Sequence, residues 1–259
     1  MKFRDDFWLV FLPFHVLGLI GLFYFNYWFF VFWFLIGVIG NGVAGHRYFA
    51  HRQFETYKPI KYILAILTSL GGVGPIMQWR MHNYHHAHAD KYDDQHSPKF
   101  LSKFNVFYGY LIFDHQFNFM GDKAMRRLII EQLRDKFCVF FNKHHYRIIY
   151  AFSIMLALID VNLLLMYCLA YCVDYFRMGA VNYWCHTSGY RNTETRDNST
   201  NNFWVGYLGM GFGWHNNHHA HPRQLILTER WWEIDIEGYI GWLLSKDKFN
   251  DNSIKTRTP

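Results

Sequence analysis

The sequence is short of charge. Asp, Glu, Lys and Arg make up 18% of its 259 residues, whereas hydrophobic residues make up 51%. None of the four charged types occurs between Phe7 and Gly45. A continuous helix over that run would be about 58 Å long at 1.5 Å per residue, and one membrane crossing needs roughly 20 residues. The absence of charge therefore disfavours a single buried helix of a soluble protein and predicts two membrane spans, at 8–25 and 28–45.

Cysteine is also scarce, and the four cysteines present form no C-x-x-C pair. They are Cys138, Cys168, Cys172 and Cys185. This pattern indicates neither a zinc ribbon nor a disulfide framework. Cys168 and Cys172 lie one helical turn apart in an apolar stretch, which predicts buried free thiols.

A second region lacks basic residues, because no Lys or Arg occurs between Arg147 and Arg177. With a turn near Asp160, it predicts a second hairpin with spans at 144–159 and 163–185. A further apolar stretch at 60–77 is interrupted by several Gly and one Pro. We expect an interfacial or re-entrant helix there, since a full crossing would separate the histidine-rich segments on either side of the membrane.

Histidine is abundant instead, with 16 residues, and nine of them follow predicted membrane ends or lie in the C-terminal part. The motif H-x-x-H-H occurs twice, and its members at i, i+3 and i+4 share one helical face. The motif H-x-x-x-x-H differs, since i and i+5 lie about 140° apart on an α-helix. Both of its members can reach one site only if the helix ends between them or if two metals lie on different sides. The nine are His46, His51, His82, His85, His86, His186, His215, His218 and His219.

Neutral imidazole is a good ligand for zinc, copper, iron and nickel. A structural zinc site is closed by four ligands, usually including cysteine, so nine histidines exceed its needs and predict two metals. Carboxylates close in sequence would orient the rings: Glu55, Asp90, Asp94 and Asp197. Three histidines are weaker site candidates, namely His88, His96 and His221. Four are expected to be ordinary surface or capped residues, namely His15, His115, His144 and His145.

These segments resemble the three histidine boxes of membrane fatty acyl desaturases of the stearoyl-CoA desaturase-like group. The resemblance covers about residues 8–245 and is carried by G-H-R-Y-F-A-H-R (45–52), W-R-M-H-N-Y-H-H-A-H-A-D (79–90) with D-Q-H-S-P (94–98), V-N-Y-W-C-H-T-S-G-Y-R (181–191), D-N-S-T-N-N (197–202), G-F-G-W-H-N-N-H-H-A-H-P (211–222) and W-W-E-I-D (231–235). The departures are Phe212 in place of a frequent Glu, Gln95 in place of Pro, His221 in place of Phe, and F-Y-G-Y at 107–110.

The resemblance implies an all-α integral membrane protein with four transmembrane helices in two hairpins and a cytosolic helical cap that holds a di-metal site. On this chain it implies one domain over 1–259, with the cap at 46–58, 79–143 and 186–250. It implies two iron ions held by the nine histidines, and it matches Asn182 to an asparagine that reaches an iron through water. The predicted turns carry no Lys or Arg, so both termini and the cap are expected to face the cytoplasm.

The expected activity is O2-dependent desaturation of a saturated acyl chain, carried as a CoA or lipid ester, with position 9 favoured. Electrons would come from a separate carrier such as cytochrome b5 or ferredoxin, and no nucleic acid is expected as a partner. The expected location is a bacterial inner membrane, a thylakoid or the endoplasmic reticulum. The alternatives are a hydroxylase or ketolase on the same scaffold, a metal-binding membrane transporter and a zinc-dependent membrane hydrolase.

Overall fold

The structure is a computed structural model that describes residues 7–113, 130 and 133–246. Within these ranges the regular elements are helices, and Asn201 forms isolated β-bridges with Tyr190 and Trp214. The helices are α1 (Phe7–Tyr24), α2 (Trp28–Ala50), α3 (Lys58–Leu70), α4 (Pro75–His88), α5 (105–112), α6 (Lys136–Ile159), α7 (Val161–Trp184), α8 (Phe203–Leu208), α9 (His215–Ala220) and α10 (Ile236–Leu244). The cap segment predicted at 79–143 includes 114–129, 131 and 132, and His115 with them, which lie outside the described residues.

Three of the described helices are long and apolar enough to cross a membrane, namely α1, α2 and α7. They overlap the spans predicted at 8–25, 28–45 and 163–185. The span predicted at 144–159 lies within α6, which begins earlier, at Lys136. Helix α6 has 24 residues, as many as α7, but it is not apolar enough to meet the same standard. The first half of α6 carries Lys136, Lys143 and Arg147, and these charges lower its hydropathy. Over the described residues the regular elements are thus all helices, and three of them could cross a membrane.

Helix α1 packs antiparallel against α7. Gly18 faces Cys168 and Cys172, and Gly21 faces Leu165 one turn nearer the start of α7. This direction places the α1–α2 turn and the α6–α7 turn at the same end of the helices. Large apolar side chains at both turns are exposed, with Phe23 at 88% and Leu158 at 82%. Apolar surface of this kind is normally covered by a lipid or protein partner.

The apolar stretch predicted as one helix over 60–77 is two helices. Helix α3 ends at Leu70, and α4 begins at Pro75. Gly72 has a φ of 95°, a conformation that favours glycine and cannot continue an α-helix. Pro75 then lies in the first turn of α4, where its missing N–H has no cost. The break redirects the chain so that α4 carries its histidines toward α2.

A buried group of charges joins α2, α7 and α10. Arg47 donates a hydrogen bond of 2.7 Å to Asp235, and Arg177 donates one of 2.6 Å to Glu237 and one of 2.8 Å to Asp174. A Cβ atom at residue 42 would overlap the Glu237 carboxylate, so glycine there lets α10 approach α2 closely. Breaking such pairs leaves an uncompensated buried charge, so they fix the end of α2 relative to α7 and α10.

Candidate metal centre

The nine predicted histidines converge on one region between α2, α4, α7 and α9. Eight of them form two groups of four, and within each group the candidate ligand nitrogens lie within 4.8 Å of one another. The first group contains His46, His51, His82 and His218. The second group contains His85, His186, His215 and His219.

His86 is the ninth histidine, and it lies between the two groups. Its Nε2 atom is 2.9 Å from Nε2 of His218 and 3.0 Å from Nε2 of His82, both in the first group. Its ring centroid is 4.3 Å from the ring centroid of His219, in the second group. The two groups are therefore neighbours in one centre rather than separate sites.

The local geometry of α2 explains how His46 and His51 reach the same group. The stretch Trp33–Ala50 has π-helical hydrogen bonding, and the backbone N–H of His51 donates to the His46 carbonyl at 3.1 Å. A π-type bond joins residues i and i+5, so it stacks these two residues on adjacent turns. Their ring centroids lie 4.9 Å apart. The helix also ends at Ala50, which is one of the two conditions that the H-x-x-x-x-H spacing required.

Helices α4 and α9 each contribute to both groups from a single face. In α4, His82 and His85 lie three residues apart, and each belongs to a different group. Helix α9 has only six residues, and the side chain of Asn201 holds its first turn. The Asn201 Oδ1 atom accepts hydrogen bonds from the backbone N–H groups of Asn216 and Asn217, at 3.0 and 3.2 Å. The short helix is thus oriented by a side chain fifteen residues earlier.

Three carboxylates contact the second group through the Nδ1 atoms of its rings. Asp94 lies 3.0 Å from Nδ1 of His85, Asp90 lies 3.0 Å from Nδ1 of His186, and Asp197 lies 2.9 Å from Nδ1 of His219. A carboxylate accepts the Nδ1 proton, so each contact leaves Nε2 as the atom with a free lone pair. Glu55, the fourth candidate, instead pairs with Lys246 at 2.9 Å on the surface.

The backbone helps to position one of these acids. Asp90 follows the end of α4 and has a φ of 59°. This left-handed conformation is common just after a helix and is tolerated by Asp. From this turn the Asp90 carboxylate reaches His186 and also accepts a hydrogen bond of 2.7 Å from the backbone N–H of Asn198. One side chain therefore joins the end of α4 to the segment that precedes α8.

The rings are predominantly neutral. Burial, with the neighbouring imidazoles as the second cause, lowers the pKa of His51 to about 3. The same causes hold the pKa values of His82, His86, His215 and His218 well below the ordinary value. Burial would also lower the pKa of His85, but the charge and hydrogen bond of Asp94 outweigh it and raise that pKa. A neutral imidazole has the lone pair that a metal requires.

The spacing of the histidine nitrogen atoms fits coordination of a metal better than hydrogen bonding between the rings. The Nε2 atoms of His51, His85 and His219 are buried without a hydrogen-bond partner among the described residues. Buried polar atoms are normally paired, so each such atom indicates a missing partner. Metal–nitrogen bonds of about 2.0–2.1 Å place neighbouring ligand atoms roughly 2.9–3.4 Å apart. The Nε2 atoms of His46 and His218 are 3.1 Å apart, and those of His186 and His215 are also 3.1 Å apart.

The weaker histidine candidates lie outside the two groups. His88 stacks on Tyr84 and contacts Asp93 at 2.6 Å, and His221 follows the end of α9. His96 is buried, with its ring centroid 5.6 Å from that of His85. Asn182 lies on α7 one turn before His186 and is half-buried.

A groove lies beside the histidines and was not foreseen from the sequence. It has a volume of about 590 Å³, within the range of about 300–1,000 Å³ usual for small-molecule sites. Part of its lining is polar, where Asn202 donates a hydrogen bond of 3.0 Å to the carbonyl of Ser188. The rest is largely apolar and aromatic. The lining residues are Trp33, Val173, Phe176, Arg177, Ala180, Trp184, Ser188, Asn202, Trp204, Val205, Leu208 and Gly209.

Comparison with known proteins gives consistent matches. The sequence profile of one family, described as fatty acid desaturase, matches residues 25–234. The chain is 30% identical over 242 residues to Delta-9 acyl-lipid desaturase 2 of Arabidopsis thaliana. This match covers 87% of this chain and 75% of that protein. It is 29% identical over 187 residues to sn-1 stearoyl-lipid 9-desaturase of Anabaena variabilis, and this match covers 71% of this chain and 66% of that protein. It is 32% identical over 200 residues to icosanoyl-CoA 5-desaturase of Limnanthes douglasii, and this match covers 72% of this chain and 53% of that protein. The matched region thus spans between about half and three quarters of these relatives.

Proposed function

This chain belongs to the fatty acid desaturase family, and we propose that it inserts a cis double bond into a saturated fatty acyl chain. The reaction would use two histidine-bound iron ions, O2 and electrons from a separate carrier. The observation that carries the proposal is the pair of four-histidine groups with His86 between them. A single structural metal would need only one such group.

The chemistry requires a metal or cofactor. An unactivated methylene has no acidity that a side-chain base can use, so the oxidising power must come from a bound group. Two iron ions held by the two groups would supply it. In the balanced reaction, adjacent carbons lose two hydrogens, and these combine with O2, two electrons and two protons to form two water molecules.

The protein's own residues would bind the metals and orient the imidazole rings. The nine histidines are the proposed ligands, and Asn182 is proposed to reach an iron through water. Asp90, Asp94 and Asp197 would keep the Nδ1 proton of their imidazoles in place, so that each Nε2 faces the metal. The low pKa values of His82 and His215 support a ligand role for these two rings, because their lone pairs stay available at neutral pH.

The groove is the proposed site for the acyl chain. Its apolar lining suits a hydrocarbon chain, and the polar residues Ser188 and Asn202 in that lining suit an ester head group. Holding the chain in one orientation would account for a single bond position, because the reacting carbons must lie close to the metals. We propose position 9, which two of the three compared relatives have in their names. A CoA ester and a lipid ester both remain candidate carriers.

The proposed topology has four spans, with α6 as the fourth, and the termini and the histidine centre on the cytoplasmic side. The antiparallel packing of α1 and α7, which puts both turns at one end, supports it. The net charge of +6 would favour an acidic electron carrier such as cytochrome b5 or ferredoxin. The membrane would be a bacterial inner membrane, a thylakoid or the endoplasmic reticulum.

The test is the fatty acid profile of a host that lacks its own desaturase and supplies an electron donor. Cells expressing the chain are compared with cells expressing His218→Ala. A new monounsaturated acid that disappears in the variant supports desaturation, and its bond position gives the regiochemistry. A hydroxylated product would instead support the hydroxylase alternative. The absence of any product, together with zinc rather than iron in the purified protein, would reject the proposal.

A further inference from the structure

One phenyl ring separates the groove from the histidines. The ring centroid of Phe212 lies 4.8 Å from that of His46, a member of the first group. The guanidinium carbon of Arg177, a groove residue, lies 4.9 Å from the same ring. Phe212 also packs against the buried cluster of Val181, Cys185 and Val205, and Val205 is another groove residue. The Phe212 ring therefore lies between side chains that line the groove and the candidate metal centre.

The neighbours of this ring are fixed. Arg177 donates hydrogen bonds to Asp174, Glu237 and the carbonyl of Gly37, at 2.8, 2.6 and 2.9 Å. His46 is buried in the last turns of α2. Three hydrogen bonds hold Arg177 and burial holds His46, so neither group is free to move aside when a chain binds.

Phe212 is less constrained than these neighbours. Its side chain is half-buried, and it makes apolar and cation–π contacts rather than hydrogen bonds through its ring. It lies in a tight turn in which the preceding Gly211 has a φ of 108°. Exchanging one apolar contact for another costs little, whereas breaking the Arg177 hydrogen bonds leaves buried charge unpaired.

We propose that Phe212 is the specificity-determining residue of this site. Its ring limits how closely a chain in the groove approaches the first histidine group, and so it decides which pair of methylenes faces the metals. This inference rests on the proposed desaturase function and on the groove as the acyl site. It assigns Phe212 a positioning role and no part in the chemistry.

The test compares double-bond positions in the products of Phe212→Ala, Phe212→Leu and Phe212→Tyr. Positions are read by mass spectrometry of derivatised fatty acids from a host without its own desaturase. A hydrophobic wall typically discriminates by roughly 10–200-fold between chains that differ by one methylene. We therefore expect the fraction of displaced isomers to rise by about tenfold in Phe212→Ala. Phe212→Tyr keeps the ring and should keep the wild-type position.

The matched control is Phe203→Ala, which removes the same ring from an exposed position on α8, where it contacts Tyr207 and Trp232 rather than a histidine or Arg177. It should leave the bond position unchanged. The iron content of each purified variant shows that the metal centre is retained, and Phe212→Leu serves if Phe212→Ala does not fold. Unchanged isomer ratios in an iron-containing Phe212 variant would overturn the inference. A wild-type protein that forms no unsaturated product would instead reject the proposed function itself.

Discussion

The Nε2 atom of His86 lies 2.9 Å from the Nε2 atom of His218. His218 has two more such neighbours, His46 at 3.1 Å and His82 at 3.4 Å. In a neutral imidazole the Nε2 atom carries either one N–H or one lone pair, so it does not form hydrogen bonds with three other rings at once. Shared coordination of a metal would account for the cluster.

The first prediction concerns this metal. His218→Ala should lower the iron content of the purified protein from two ions toward one, because the first group loses a central ligand while the second keeps all four. Elemental analysis of the detergent-purified protein measures it. His144→Ala, on α6 outside both groups, is the matched control and should retain both ions. Equal iron content in the two variants would argue against a metal in the first group.

The second prediction concerns the carboxylates, which contact the second histidine group. Three carboxylates contact rings of the second group, whereas the first group has no such carboxylate contact among the described side chains. Loss of an outer partner typically lowers metal affinity by about 10–100-fold. Asp94→Asn should therefore release one of two ions at a chelator concentration that the wild type withstands.

Asp93→Asn provides the control for that experiment. Asp93 is adjacent in sequence, yet it contacts His88 and Tyr84, which lie outside both groups. Its variant should keep the wild-type response to the chelator. If Asp93→Asn and Asp94→Asn lose metal equally, the contact with His85 is not what secures the second ion.

The sequence predicted the parts of this centre that depend on local spacing. In H-x-x-H-H, positions i, i+3 and i+4 share a face of any α-helix, so His82, His85 and His86 were expected together. The relation between His46 and His51 was left open, because it depends on π-helical hydrogen bonds in α2 that the α-helical periodicity does not predict. Whether a histidine belongs to the first or the second group also depends on how α4 and α9 pack.

Long-range pairing was the main feature that the sequence did not reveal. Arg47 and Asp235 are 188 residues apart, and no local pattern links them. One signal was present, since Asp174 and Arg177 are the charged pair inside an otherwise apolar stretch and lie at i and i+3. Ionisable residues in such a stretch usually face the protein interior and pair with one another. The break between α3 and α4 was also visible as Gly71, Gly72 and Pro75 but was interpreted as an interruption of one helix.

The third prediction is a pH dependence of stability that Glu237 controls. Burial raises the pKa of Glu237 to about 7 even though Arg177 and Arg47 lie nearby, whereas in an unfolded chain it would be about 4.3. The folded state therefore binds the proton more tightly, and its stability falls as the pH rises through this interval. Asp174 and Asp235 are the other acids of this buried group.

Glu237→Gln removes that titration while keeping the shape of the side chain. The thermal midpoint of the wild type, relative to Glu237→Gln, should fall by roughly 5 °C between pH 5 and pH 8. A thermal-shift assay on detergent-solubilised protein measures the thermal midpoint against pH for both proteins. Parallel curves across this range would show that Glu237 keeps one ionisation state in the fold.

The fourth prediction tests the groove as the acyl site without touching the histidines. Ala180 lies on α7 in the groove wall, so Ala180→Phe would place a ring in the space that the chain is proposed to occupy. We expect the longest acyl products to fall by about tenfold relative to shorter ones, since a hydrophobic site discriminates by size to roughly this degree. The comparison variant is Leu158→Phe, at an exposed position near the α6–α7 turn, where added volume meets no groove. A product profile in Ala180→Phe that matches Leu158→Phe, with iron content intact, would place the acyl chain elsewhere, because a ring in an occupied groove must displace part of the chain.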